Sequence, residues 1–396
     1  MNIYRDQTKT LLSRLLEPRQ TIQVVVGPRQ IGKTTVVKQL LKELTMPSMY
    51  VNADAVNADD SSWIASKWEE ARLKMGFAKS PEFLLVIDEV HKIDNWSELV
   101  KKEWDADTFN DVNIKVVLLG SSRLLLKYGL TESLAGRFEL LPMSHWSFKE
   151  MREAFGFDID QYIYYGGYPG SATYLPNESR WRRYMSDAIV DPAIEKDVLL
   201  TTHIYKPALM RQLFRLGCSF SSELLSYNKM IGMLQDAGNS TTLADYMKVL
   251  GESKLLTGLQ KFDKGKLKRY NSIPKLQVFN NALLTVMTND MTFQKARTNP
   301  RLWGRWVESA VGCYLLEKAD ELNYELFYWK NGDAEVDYII TRGDSIIAIE
   351  VKSGHRQTNK GLKLFKELFN PKYSIVVGGS SMPLDEFYSG DLSQLL

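Results

Sequence analysis

The stretch "TIQVVVGPRQIGKTTVVKQLLKEL", residues 21–44, joins a short apolar run, a glycine-containing loop and an amphipathic helical pattern. Its loop "GPRQIGKT", from Gly27 to Thr34, has the spacing GxxxxGK[ST]. Between a strand and a helix, such a loop turns its backbone N–H groups and the helix N-terminus toward an anion. The stretch therefore predicts a phosphate-binding loop in an α/β domain.

The loop residues divide by chemistry. Lys33 is expected to reach the β- and γ-phosphates of a nucleotide, and Thr34 to bind Mg²⁺. No [NT]KxD motif for reading guanine follows the loop, so the expected nucleotide is ATP. The predicted nucleotide-binding residues of this stretch are Gly27, Pro28, Arg29, Gln30, Ile31, Gly32, Lys33, Thr34 and Thr35.

Three more apolar runs, "SMYVNAD", "FLLVIDE" and "IKVVLLGSS", predict strands buried on both faces of a parallel sheet. They define a three-layer α/β domain over residues 1–147. Because open parallel sheets bind ligands at the carboxyl ends of their strands, Asp88 is expected to hold Mg²⁺ through water and Glu89 to polarise the attacking water. Ser121 or Ser122 could hydrogen-bond near the γ-phosphate.

Arg137 follows a helical pattern in "ESLAGRFEL". A guanidinium there could act as an arginine finger on the γ-phosphate bound by a neighbouring subunit. A surface salt bridge fits the same pattern equally well. The finger interpretation predicts a homo-oligomer.

The composition limits the class of protein. The chain has 396 residues, a net charge of +2 and 25% charged residues, so any nucleic-acid surface must be a local basic patch. Cys218 and Cys313 lie in apolar stretches without CxxC spacing, which favours core positions in a reducing cytoplasm. No apolar run reaches the ~18 residues that a membrane helix needs. The four histidines are scattered, which disfavours a zinc site.

A mostly helical region is predicted over residues 148–299. Within it, two amphipathic segments precede short strands around "KGKLKR", which is the order of a winged helix. A basic wing could contact DNA phosphates, although a winged helix that packs domains or subunits fits as well. The predicted DNA contacts are Lys264, Lys266, Lys268 and Arg269.

From residue 300 to 396 the pattern is α-β-β-β-α-β. Its hairpin "EVDYIITRGDSIIAIEVK", residues 335–352, turns at Gly343 and Asp344, which pairs Arg342 with Ser345. Counting outward, Asp337 falls opposite Glu350, and Glu335 opposite Lys352. Each pair shares one face of the hairpin.

Several motifs in order resemble a large prokaryotic family of AAA-superfamily ATPases with a C-terminal region of long-unassigned function. They include "GPRQIGKTT", "IDEVHKIDNWSELVK", "YGGYPG", "PKLQVFNNAL" and "AEVDYII" with "IAIEVKSG". The resemblance covers nearly the whole chain and implies an ATPase core, a winged helix and a PD-(D/E)xK nuclease-like domain. Asn280 stands where relatives often have an acidic residue.

A PD-(D/E)xK nuclease needs two carboxylates for Mg²⁺ or Mn²⁺ and a lysine that orients water. Asp337, Glu350 and Lys352 supply these groups, and Glu308, in the apolar helical stretch "GRWVESAVG", is expected to complete the metal ligands. Two alternatives remain open, a solvated charged ladder and a fold that binds nucleic acid without cutting it.

Together these observations predict a cytoplasmic, oligomeric ATP hydrolase that acts on DNA through a metal-dependent nuclease-like domain. The alternative is a nucleotide-controlled switch, or a regulator that binds DNA or a partner, whose nuclease-like domain is not catalytic.

Overall fold

The computed structural model describes most of the chain. The described residues are 3–120, 130, 133–199, 204–263, 272–354, 360–379 and 381–396. They form two compact units, residues 1–144 and 145–396. Among the described residues, no helix is both long enough and apolar enough to cross a bilayer.

The first unit is built on a five-stranded parallel sheet in the order β2-β3-β4-β1-β5. Every residue of β1, β3 and β4 is buried, as expected for central strands covered on both faces. The strands are β1 Ile22–Val26, β2 Ser48–Asn52, β3 Phe83–Asp88, β4 Ile114–Gly120 and β5 Phe138–Pro142.

Helices cover both faces of this sheet. Helices α1 (Asp6–Leu16) and α2 (Lys33–Glu43) pack on one face, and α3 (Ser62–Phe77) and α4 (Trp96–Phe109) pack on the other. The predicted three-layer α/β architecture is therefore confirmed. Strand β5 was not predicted, because its segment "FELLP" has only one buried residue and lacks the continuous apolar run of the central strands.

The second unit begins with helices. These are α5 Phe148–Phe155, α6 Ile159–Tyr165, α7 Glu178–Tyr184, α8 Pro207–Ser219, α9 Tyr227–Met233 and α10 Ser240–Glu252. Two π-helical segments, Met185–Val190 and Ala193–Leu199, follow α7. After α10, strands β6 (Leu256–Leu259) and β7 (Lys275–Val278) form an antiparallel pair. The predicted order of helix, helix and hairpin is present.

The rest of this unit has the predicted order α-β-β-β-α-β. Short helices α11 (Asn281–Met287) and α12 (Phe293–Thr298) lead into the long helix α13 (Pro300–Leu322). Then come β8 Glu325–Asn331, β9 Ala334–Arg342, β10 Ser345–Lys352, α14 Lys360–Phe369, β11 Tyr373–Gly378 and α15 Leu384–Ser389. The strands form one sheet in the order β11-β10-β9-β8.

One hydrophobic core joins the helices of residues 148–299 to α13 and the four-stranded sheet. The border predicted at residue 299 therefore lies inside a compact unit, whereas the border predicted at 147 lies three residues after Ser144. Trp303, Trp306 and Trp329 belong to the cores. Both cysteines are buried and free.

The β9–β10 hairpin has the predicted register, from Arg342 opposite Ser345 to Tyr338 opposite Ile349. Gly343 has a φ of 56°, the left-handed conformation that a glycine-first turn requires. The backbone pairs end at Tyr338, so Asp337 lies just beyond the ladder.

The glycines of "YGGYPG" are explained by close packing. Gly166 has a φ of 70°, and a Cβ there would lie 2.0 Å from Asn280 Oδ1. A Cβ on Gly167 would lie 2.1 Å from the carbonyl oxygen of Trp146. Asn280 itself caps α11 by accepting a hydrogen bond from the N–H of Ala282. The segment is therefore a close backbone approach rather than a turn exposed to solvent.

Helix α13 depends on a glycine where it crosses the hairpin strand β7. A Cβ on Gly312 would lie 2.2 Å from Gln277 Oε1 and 2.4 Å from the Tyr338 hydroxyl, which hydrogen-bond to each other. We expect Gly312→Ala to destabilise the protein by about 1–3 kcal/mol, because an overpacked core must shift. The measurement is the thermal unfolding midpoint of the full chain.

The matched control is Gly232→Ala in α9, where a Cβ would meet no atom within 4 Å. That change is expected to leave the midpoint unchanged or to raise it, since alanine favours helix by about 0.5–1 kcal/mol. Equal midpoints for the two variants would contradict the packing argument.

Candidate functional site

The loop between β1 and α2 carries the backbone geometry of an anion site. Gly32 caps α2 with a φ of 92°, and Gln30 also has a positive φ of 61°. Gly27 must be glycine, because a Cβ would lie 2.3 Å from the carbonyl oxygen of Met143 at the end of β5. These conformations direct the loop around the N-terminus of α2, where N–H groups are available to phosphate oxygens.

Lys33 lies at the first position of α2 and is buried. Its ammonium group donates to the carbonyl oxygens of Gly27 at 2.8 Å and Pro28 at 2.7 Å. The loop thus holds the lysine over its own concave face. Phosphate oxygens entering this face can take over the hydrogen bonds that the carbonyls accept.

Asp88, at the carboxyl end of β3, is the centre of a buried hydrogen-bond network. Its Oδ2 accepts from Thr34 Oγ1 at 3.0 Å and from the Tyr50 hydroxyl at 2.7 Å, and its Oδ1 accepts from the N–H of Glu89 at 2.9 Å. Burial, followed by the bond to Asp88, raises the pKa of Tyr50 to about 12. The tyrosine therefore stays a hydrogen-bond donor at neutral pH.

The predicted magnesium ligands fit that metal. Thr34 and Asp88 bring a hydroxyl and a carboxylate together beside the phosphate loop, and oxygen donors of this kind suit a small hard cation. Tyr50 was not predicted as part of this site. Its position on β2, two residues before the strand ends beside β3, was the available signal.

Glu89 follows Asp88 in the left-handed conformation, with a φ of 53°. Its Oε2 lies 3.3 Å from Nε2 of His91. Burial, and then the nearby charges of Lys92, Arg29 and Lys33, lower the pKa of His91 to about 4, so its ring is neutral at pH 7. The neutral imidazole and the Glu89 carboxylate are close neighbours, a contact that spacing alone did not indicate.

Arg137 makes the local ion pair that was one of its two predicted roles. Its Nε and Nη2 donate to the two carboxylate oxygens of Asp105 at 2.7 and 3.0 Å. The Arg137 side chain is 35% exposed, so it also remains accessible to another molecule. The predicted sensor residues Ser121 and Ser122 lie outside the described residues.

In the second unit, the predicted acidic residues come together with two lysines. Lys352 Nζ donates to Glu350 Oε1 at 2.5 Å, and the N–H of Val351 donates to Asp337 Oδ2 at 2.7 Å. The structure adds Lys275 of β7, whose Nζ lies 2.5 Å from Glu308 Oε1 and 3.8 Å from Asp337 Oδ1. We call these five side chains, Glu308, Asp337, Glu350, Lys275 and Lys352, the acidic cluster.

Burial raises the pKa of Glu308 and of Glu350, and the neighbouring lysines oppose that rise. Glu350 Oε2 is buried and has no hydrogen-bond partner among the described residues. The carboxylates of Glu308 and Asp337 already contact N–H donors, Nζ of Lys275 and the N–H of Val351 respectively. Within the described ranges, no group of three or more His, Cys, Asp and Glu side chains is arranged to hold a metal ion. The cluster as built thus fits a metal ion poorly.

Two other expectations concern charges around this cluster. Glu335 was expected to pair with Lys352, but its Oε2 lies 2.8 Å from Nζ of Lys330 on β8. The reason is that the β9–β10 ladder ends before these residues. In the β8–β9 ladder, by contrast, Lys330 is paired with Glu335. The predicted basic wing, Lys264, Lys266, Lys268 and Arg269, lies outside the described residues.

Comparison with protein families divides the chain into three parts. Residues 19–152 match the family model described as an AAA domain. The first unit is an AAA-type ATPase domain. Residues 156–294 and 303–389 match two further models, DUF8612 and DUF4143, each described as a domain of unknown function. ATP hydrolysis is the activity that an AAA ATPase domain implies.

A curated relative is an uncharacterized protein of Haemophilus influenzae, 22% identical over 86% of this chain and 85% of its own length. Two solved structures are similar in part. The Thermotoga maritima RuvB Holliday junction branch migration motor has a TM-score of 0.35 and 16% identity, covering 66% of this chain and 91% of its own. The Aeropyrum pernix ORC1 protein in complex with DNA has a TM-score of 0.32 and 12% identity, with coverages of 72% and 91%.

We expect Lys33→Ala to lower ATP turnover by about 10²- to 10³-fold, the cost of removing one preorganised charge donor from a phosphoryl-transfer site. The measurement is steady-state phosphate release by the full chain. Lys42→Ala, in the last turn of the same helix and exposed, is the matched control and should retain turnover. Wild-type turnover in the Lys33 variant would refute the phosphate-loop assignment.

Proposed function

We propose that this protein is an ATP-driven switch whose nucleotide state controls how its second unit acts on DNA. The observation that carries the proposal is the contact between Thr34 and Asp88 at 3.0 Å beside the loop that holds Lys33. Those groups are the parts that an ATP site with Mg²⁺ requires. The C-terminal acidic cluster, in this proposal, belongs to a nuclease-like fold that does not cut.

The residues of the ATP site have separate tasks. Lys33 binds the β- and γ-phosphates, and Thr34 and Asp88 would hold Mg²⁺, which supplies charge neutralisation when bound. Glu89 orients the attacking water and accepts its proton. Tyr50 fixes the Asp88 carboxylate through the 2.7 Å hydrogen bond that its hydroxyl donates to Oδ2, so the carboxylate keeps its orientation. The neutral ring of His91 lies beside Glu89, with its Nε2 3.3 Å from Oε2.

Arg137 is proposed as the group that completes a neighbouring copy's site. Its planar guanidinium is surface-accessible and held by a bidentate bond to Asp105, so its direction is set before any contact forms. Mixing two inactive variants tests this role. The Glu89→Gln variant cannot hydrolyse ATP at its own site but still carries Arg137. The Arg137→Ala variant lacks the arginine but has an intact Glu89 at its own site.

In the mixture, the Arg137 of one copy can serve the intact site of another, and we expect turnover above that of either variant alone. Asp105→Asn is the matched control, because it removes the charge of the pair while its amide oxygen can still accept a hydrogen bond from Arg137. It should retain most of the turnover. Failure of the mixture to gain activity, or equal losses for Asp105→Asn and Arg137→Ala, would assign Arg137 to a local salt bridge.

The order of helices and hairpin in the second unit supports a role for DNA. Helices α8, α9 and α10 precede the antiparallel pair β6–β7, which is the order of a winged helix. The connection between those strands carries the predicted basic wing. Lysine side chains on such a connection can neutralise DNA phosphates without reading base sequence.

A second candidate function is metal-dependent cleavage of DNA. It is favoured by the pairing of Lys352 with Glu350 beside Asp337, and by the buried oxygen of Glu350 that lacks a partner among the described residues. Those groups are the ones that a PD-(D/E)xK nuclease uses. The lysine of β7 inside the acidic cluster favours the binding role instead.

One experiment separates the two candidates. Full-length protein is incubated with single- and double-stranded DNA, with Mg²⁺ or Mn²⁺, and with or without ATP, and both binding and cleavage are recorded. We expect binding without cleavage, with Lys266→Ala and Lys268→Ala together weakening binding. Removing these two lysines should lower the slope of log K against log salt concentration by the amount expected for about two phosphate contacts.

The cleavage readout uses Lys352→Ala and a matched control, Lys330→Ala, which removes a lysine from the same sheet outside the acidic cluster. Cleavage that is lost in the first variant and kept in the second would establish the second candidate. Absence of DNA binding under every condition would overturn the proposed action on DNA.

A further inference from the structure

Lys275 is a charged side chain in an unusual place. It lies on β7, and its side chain is 0% exposed. Charged residues are almost never fully buried unless they are paired, because transfer of an isolated ammonium group out of water costs several kcal/mol. No role was predicted for this residue, although it belongs to the "PKL" motif.

The groups around Lys275 offset the free-energy cost of burying its ammonium group. Its Nζ contacts Glu308 Oε1 at 2.5 Å and donates to the backbone oxygen of Asp337 at 3.1 Å. It also lies 3.8 Å from Asp337 Oδ1 and 4.7 Å from the centre of the Tyr338 ring. These contacts come from α13 on one side and β9 on the other.

The charge of Lys275 is stable in this position. Its ammonium group lies 2.5 Å from Glu308 Oε1 and 3.8 Å from Asp337 Oδ1, and carboxylates at those distances offset the cost of burying the positive charge. The lysine thus places a positive charge between two carboxylates.

We propose that Lys275 is the resident cation of the acidic cluster and occupies the position where a divalent metal ion would have to bind Glu308 and Asp337. The proposal rests on the proposed function, in which the second unit acts on DNA without cutting it. It deepens that function, because it names the group that keeps the nuclease-like site from holding a metal ion.

Three features of the chain make this lysine a fixed occupant. Lys275 is paired through its backbone to Leu259 of β6, so the sheet holds its Cα in place. Its aliphatic part is enclosed in the unit, since the whole side chain is inaccessible to water. A divalent ion at Glu308 and Asp337 would also lie within a few ångströms of its ammonium group, and like charges at that distance repel strongly.

The test measures Mn²⁺ binding to nucleotide-free full-length protein. The electron paramagnetic resonance signal of free Mn²⁺ reports how much of the ion remains unbound. Four proteins are compared: wild type, Asp337→Asn, Lys275→Met, and Lys275→Met with Asp337→Asn. Methionine keeps most of the volume of the buried stem and removes the charge. We expect wild type and Asp337→Asn to bind Mn²⁺ identically.

Lys275→Met should gain a Mn²⁺ site that wild type and Asp337→Asn lack, with an affinity at least about tenfold above that of wild type, since a close positive charge is gone. The gained site should disappear in the double variant. Mn²⁺ binding by wild type that depends on Asp337 would overturn the proposal. A folded Lys275→Met protein that gains no site would overturn it as well.

Circular dichroism shows whether Lys275→Met folds. If it does not, the comparison of wild type with Asp337→Asn decides the question by itself, because a resident lysine requires equal binding by these two proteins. ATP turnover is recorded on the same samples. If wild type shows no ATP turnover or no DNA binding, the proposed function fails, but the Mn²⁺ comparison among the variants still stands. The two failures are therefore distinguishable.

Discussion

A fully buried ammonium group requires carboxylates around it, and three elements of the second unit meet because of that requirement. Lys275 comes from the hairpin strand β7, Glu308 from the long helix α13, and Asp337 from the central strand β9. Breaking the buried Lys275–Glu308 pair by removing one partner would cost about 3–5 kcal/mol. The ion pair therefore links the hairpin strand β7 to α13 and the four-stranded sheet, which share one hydrophobic core in one compact unit.

The ATP site follows from a different constraint. In a parallel sheet every strand ends at the same edge, so groups far apart in the chain are brought together there. Thr34 follows β1, Asp88 ends β3, and Tyr50 lies near the end of β2, and all three share one hydrogen-bond network. A short loop, left-handed at Gln30 and Gly32, leaves the N-terminus of α2 accessible to phosphate.

Prediction from the sequence succeeded where local chemistry decides the structure. The central strands β1, β3 and β4, the phosphate loop, the order of elements after residue 300 and the glycine-first hairpin were all indicated by short patterns. It failed for β5, whose segment "FELLP" is mostly exposed and lacks a distinctive apolar pattern. It also failed for Glu335, because the point at which a strand ladder ends depends on neighbouring strands and not on the hairpin's own turn.

The sequence by itself determined the α/β class of the first unit, predicted the loop between β1 and α2 as the phosphate-binding loop, and indicated four members of the acidic cluster, the acids Glu308, Asp337 and Glu350 and the base Lys352. These follow from motif spacing and from the two-residue period of strands, which are local properties of the chain. Only the tertiary structure decided what neutralises those acids. Lys275 precedes Glu308 by 33 residues along the chain, and a charge this distant becomes a partner only when the hairpin packs beneath α13 and excludes water.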